Sequence, residues 1–117
     1  MSLGWDEAVA YALTLPDTAL STSYGAPAVK VASNGRAFLS RGHEAQDSFC
    51  IRIDRDRIDL LLATDPATFY QTPHYVGGDA VLARYATDDA ERVCAVIAQA
   101  RDRAATKKPV RPRSRKA

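Results

Sequence analysis

The sequence predicts an α+β fold. It reads as a two-layer sandwich in which a small, mostly antiparallel sheet carries three helices on one face, in the order α-β-β-β-α-β-β-α. Three observations point there. Phe49, Ile51 and Ile53 alternate with Ser48, Cys50 and Arg52, the two-residue period of a strand. Val93, Ile97, Ala100 and Ala104 recur at the helical period and form one apolar stripe. Turn dipeptides at Asn34-Gly35 and Gly77-Gly78 separate short extended runs, which is antiparallel chemistry. At 117 residues the chain can bury one modest core.

Asp6 is placed to cap a short first helix in which Val9, Ala12 and Leu13 share a face. Pro16 ends it, because the residue before a proline avoids the α region. Residues 23–27 are loop chemistry, residues 28–31 alternate as a strand, and Asn34-Gly35 is a two-residue hairpin signal. Residues 36–41 then pair back, and 42–47 form a polar loop before the strand at 48–53. Asp54 caps a second helix with Ile58, Leu61 and Leu62 at helical spacing, and Asp65-Pro66 closes it. Residues 68–70 are a short strand, Thr72-Pro73 turns the chain, and residues 80–85 are a further strand. Asp88 with Glu91 three residues later is a capping box. It opens a third helix that runs to Ala105 and buries Ala90, Val93, Cys94, Ile97, Ala100 and Ala104. Residues 1–106 are then one domain, and 107–117 read as a basic, disordered tail.

The net charge of +2 hides an asymmetry. All 14 acidic residues lie at or before Asp102, whereas Lys107, Lys108, Arg111, Arg113, Arg115 and Lys116 fall in the last eleven residues. The body stands at −4 and the tail at +6. A basic tail on a mildly acidic body suits contact with a polyanion, and a merely solvated end is the plainer account. No apolar run approaches the ~20 residues of a membrane span. The start shows neither the basic nor the apolar region of a leader. Cys50 and Cys94 stand outside metal and redox spacings, so free thiols and a cytoplasmic location are the expectation.

Strand alternation also sorts the charges. If Val29, Val31, Phe38, Phe49, Ile51, Ile53, Val81, Ala83 and Tyr85 face the helices, then Lys30, Arg41, Arg52 and Arg84 face away. Four strands each place one cation on the outer face, in company with Leu39, Cys50 and Leu82. The cations suit phosphates along a nucleic-acid backbone. The apolar residues on the same face suit a partner protein or a second copy instead.

Catalytic chemistry is sparse. His74 beside Tyr75 offers an acid, a base or an anion donor, and a structural corner fixed by Pro73 explains the same residues. His43-Glu44 with His74 is a metal set without a recognised spacing. Neither a dinucleotide fingerprint nor a P-loop occurs, so no cofactor is expected. The aromatic residues sit mostly at inward or turn positions, and no helix shows a base-reading face, so sequence preference on DNA should be weak.

The stretch Phe69–Tyr75 and the run at Val81-Leu82 belong to an ordered series of short matches. Before them come Leu15-Pro16, Ser23 to Gly25 with Pro27, Val29 to Val31, Gly35-Arg36 with Phe38, and Asp65-Pro66. Thr72, Pro73, His74 and Tyr75 are the most distinctive. This series resembles the MmcQ/YjbR family, small bacterial proteins described as DNA-binding, and covers nearly the whole body. Arg36 replaces the family's usual lysine, residues 78–80 depart from its pattern before the last strand, and the tail beyond Lys107 lies outside it. The resemblance implies a CyaY-like architecture with a double-wing DNA-binding element. The expected partner is DNA, held through Lys30, Arg41, Arg52, Arg84 and the tail cations. The expected state is a monomer or weak homodimer, with no membrane and no obligate small-molecule ligand. The alternative is a non-enzymatic interaction module pairing through the open sheet face.

Overall fold

The computed structural model describes residues 3–23, 25–41, 47–73 and 75–109. Its elements are α1 (Trp5–Ala12), β1 (Thr18–Ser23), β2 (Ala26–Val31), β3 (Ala37–Ser40), β4 (Ser48–Arg52), α2 (Arg55–Thr64), β5 (Phe69–Tyr70), β6 (Ala80–Arg84) and α3 (Ala90–Ala105). The strands form one six-stranded sheet in the order β1-β2-β3-β4-β6-β5, every neighbouring pair antiparallel. Buried residues of all three helices share one cluster with Val29, Val31, Phe49, Ile51, Val81 and Ala83 of the sheet. The α+β reading therefore holds, with one strand more than expected.

That strand is β1, which falls between Pro16 and the predicted loop, where the sequence patterning assigns no element. It has a single large apolar residue, Leu20, and most of its length is exposed, so hydrophobic alternation gives no sign of it. Its turn makes it. The register runs from Thr18↔Val31 to Ser23↔Ala26, leaving a two-residue connection in which Gly25 has φ 81°. A left-handed residue is what a tight hairpin requires. Asn34-Gly35 is not the two-residue hairpin expected of it. There Val31 N donates to Arg36 O at 2.9 Å and Gly35 N to Val31 O at 2.8 Å, so four residues make the turn.

The helix starts follow side-chain chemistry. Asp54 accepts from Arg57 N at 3.1 Å and Asp89 from Arg92 N at 3.0 Å, which satisfies amides that have no partner in the first turn. The third helix thus opens on Asp89, one residue beyond Asp88. The first opens before Asp6, at Gly4, whose N–H donates to Glu7 Oε1 at 2.7 Å. Ala90 and Cys94 are only partly buried on α3, and Val96 joins its buried stripe.

Strand β3 holds an irregularity with consequences. Val29 faces Leu39, but Lys30 faces Ala37, so Phe38 is an extra residue opposite β2. Leu39 pairs with Val29 and Ile51, both on the helix side, and is 1% exposed. Phe38 is fully buried as well. The bulge lets two consecutive large side chains enter the core, and each contributes about 1.5–3 kcal/mol on burial. The expectation that Leu39 sits on the outer face fails here, because strict alternation does not survive a bulge.

Helix α3 packs on α1, β2, β3 and β4. Its end is tied to the β2–β3 turn by Asn34, whose Nδ2 donates to Ala104 O at 2.8 Å and Lys107 O at 3.2 Å. The same side chain accepts from Arg36 N at 3.0 Å. Terminal helix carbonyls otherwise lack partners, so this buried amide closes α3 and fixes the turn together. Among the described residues no helix is long and apolar enough to cross a membrane.

Candidate anion-binding site

Where the β2–β3 turn meets the end of α3, a cavity of about 570 Å³ opens at the surface. Its charged lining is Lys30 from β2, Arg36 from the turn, Arg52 from β4, Arg103 and Lys107 at the end of α3, and Asp79 before β6. Five cations against one carboxylate leave four positive charges in excess. No two neighbouring elements supply all of them, so the cluster is a product of the fold.

Asp79 holds the centre. Its Oδ1 lies 3.2 Å from Arg52 NH1, and its Oδ2 lies 3.3 Å from Arg103 NH1 and 3.9 Å from Lys107 Nζ. Partial burial alone would raise this carboxyl. The charges of Arg52, Arg103 and Lys107 outweigh it and hold Asp79 below the ordinary 3.8. The carboxylate is therefore ionised throughout the neutral range and keeps three repelling cations in place. Arg36 donates from Nε to Lys108 O at 2.7 Å, which fixes where the chain leaves α3 toward the tail.

The turn that presents Asp79 is itself well held. Gln71 Nε2 donates to Tyr75 O at 3.1 Å and to Ala80 O at 2.8 Å. Tyr75 N donates to Thr72 O at 2.8 Å, Gly78 N to Tyr75 O at 2.9 Å, and Ile53 N to Asp79 O at 2.9 Å. Gly77 takes φ 88°, a conformation that favours glycine. Tyr70 and Tyr75 pack over Cys50, Ala80 and Leu82, so this part of the outer sheet face is covered. Burial beneath them pushes the Cys50 thiol up, against the opposing influence of Arg52.

The sheet cations named from alternation do not form one surface. Lys30 and Arg52 reach the cavity together, on the outer face. Arg41 does not join them. With Leu39 on the helix side, alternation carries Arg41 to that side too, and it lines a separate hollow with Trp5, Asp6 and Glu7 at the start of α1. Arg84 lies over the Tyr70 ring at 4.0 Å and donates to Ala67 O at 3.0 Å and Pro66 O at 3.3 Å. Those contacts hold the turn before β5. Lys107 joins the cluster and Lys108 is exposed beside it. His43, Glu44, His74, Arg111, Arg113, Arg115 and Lys116 lie outside the described residues. Leu39 and Leu82 are 1% and 2% exposed, so an interface built on them across the outer face has no apolar surface to bury.

Neither Asp79 nor Arg103 stands out in the sequence by alternation or motif, and Arg36 does so only through a resemblance. A signal existed for one of them, since Arg103 stands in the last turn of α3, four residues before the tail cation Lys107. Among the described residues no three His, Cys, Asp or Glu side chains converge on a point that would hold a metal ion. No family model, curated protein or solved structure matches this chain.

Proposed function

We propose that the protein binds nucleic acid through its phosphates, with little dependence on base sequence. The observation that carries this reading is the excess of four positive charges around one surface cavity, drawn from β2, the following turn, β4 and α3. Guanidinium groups present planar forks that match phosphate oxygens, and here three arginines are held close together by a shared scaffold. Lys107 stands at the point from which the remaining tail cations follow in sequence, so cleft and tail would extend one electropositive path. The resemblance to MmcQ/YjbR proteins points the same way. In this reading Lys30, Arg36, Arg52, Arg103 and Lys107 make the contacts of the folded body. Arg41 and Arg84 stand aside.

Fluorescence anisotropy with a labelled DNA duplex over a salt series tests it, comparing the full chain with a chain ending at Pro109. Each phosphate contact contributes about −0.9 to the slope of log K against log salt, so five body contacts give roughly −4.5. The shortened chain should keep most of that slope, and the double variant Lys30→Gln, Arg36→Gln should lose about 1.8 of it. Loss of all salt-dependent binding on removal of the tail would refute a role for the cleft.

A further inference from the structure

The outer edge of β1 is an unguarded hydrogen-bonding template. Pro27 has no N–H, and its carbonyl accepts from Arg41 N at 2.9 Å on the β3 side. Val31 N donates at 2.9 Å to Arg36 O, also on that side. Backbone polar groups alternate in direction along an antiparallel strand. Pro27, Val29 and Val31 therefore turn theirs toward β3, and their partners on β1 are Thr22, Leu20 and Thr18. These three must aim N–H and C=O away from β2, along the free edge.

Edges of this kind are normally blunted by lysine, proline, a bulge or brevity. Strand β1 uses none of these. It runs six residues, Thr-Ala-Leu-Ser-Thr-Ser, uncharged and in unbroken register. Leu20 at its centre is 59% exposed. No strand pairs with its outer side among the described residues.

We propose that this edge pairs antiparallel with the same edge of a second copy, about a two-fold axis through Leu20. The outward residues Thr18, Leu20 and Thr22 read the same in both directions. The axis sets Leu20 against the partner's Leu20 and Thr18 against the partner's Thr22, with Ala19 opposite the partner's Ser21. Both exposed leucines are then covered, threonines face threonines, and no like charges meet. Two six-stranded sheets become continuous. One strand pair buries less than the ~1,200–2,000 Å² of a standard stable interface, so the dimer is weak and depends on concentration. The inference does not rest on phosphate binding, since none of the cavity's cations belongs to β1.

Sedimentation velocity of the full chain from about 5 to about 500 µM tests it. The wild type should shift toward dimer across that range. Leu20→Pro should stay monomeric, because it removes an outward N–H without breaking a bond to β2, and Leu20→Lys should do the same while keeping the backbone intact. Circular dichroism checks that each variant folds, and Leu20→Lys decides the matter if the proline variant does not. A wild type that stays monomeric throughout, or a dimer that survives in the folded variants, overturns the proposal.

Discussion

Strand β5 closes one edge of the sheet with two residues, whereas β1 lays six along the other. At β5 each side chain is engaged. Phe69 is 1% exposed, and Tyr70 shares a hydrogen bond with Ser48 at 2.8 Å while its ring lies under Arg84. At β1 the side chains mostly meet solvent, and the strand is held by its backbone register with β2 and by its hairpin turn. The contrast separates two sources of order in one sheet. One edge depends on packing and resists further pairing by being short. The other depends on local turn geometry and leaves a hydrogen-bonding surface free.

The largest test of this contrast is Phe69→Ala, which should destabilise the protein by about 3–5 kcal/mol in urea unfolding, as loss of a buried phenyl ring does. A loss under about 1 kcal/mol would mean that β5 is not anchored by packing. Acid should separate the edges next. Asp79, in the turn leading to β6, has its carboxyl held below 3.8 by Arg52, Arg103 and Lys107, and β1 carries no titratable side chain. A depressed carboxylate stabilises the fold above its unfolded value, and that contribution fades as pH falls through the folded one. Asp79→Asn should therefore be less stable than wild type at neutral pH, with the gap narrowing below pH 3.8. Melting curves from pH 7 to pH 3 would show it, and a gap independent of pH would count against the ion cluster. The smallest effect belongs to Leu20→Ala, expected within about 0.5 kcal/mol of wild type under dilute conditions where the monomer prevails. A cost comparable to that at Phe69 would show that β1 is packed after all.

Much of the fold was legible where the chain is buried on one side. The alternation of β4 and the stripe of α3 come from residues that must avoid water, and such residues leave a period in the sequence. Strand β1 left none, because its edge position puts few side chains in the core. The bulge at Phe38 defeated parity from the other direction, moving Leu39 inward and Arg41 to the helix side. The candidate site was legible only in part. Lys30, Arg52 and Lys107 could be named from alternation and charge. Their grouping around Asp79 depends on how the β2–β3 turn meets the end of α3, a long-range contact that no local pattern records.

The Asn34 clasp has a consequence for the order in which the chain is made. Its amide and the carbonyl of Ala104 lie 70 residues apart, and nearly the whole domain must exist before they meet. A chain synthesised from its N-terminus completes the β2–β3 hairpin well before α3. Until that helix arrives, Val29, Val31 and Phe38 lack the cover it gives them, and Asn34 has only water and its own turn to bond. Helix α3 thus acts as a late checkpoint in biogenesis: an interrupted or proteolysed chain that lacks it leaves an apolar sheet face exposed, the kind of surface that chaperones and proteases recognise.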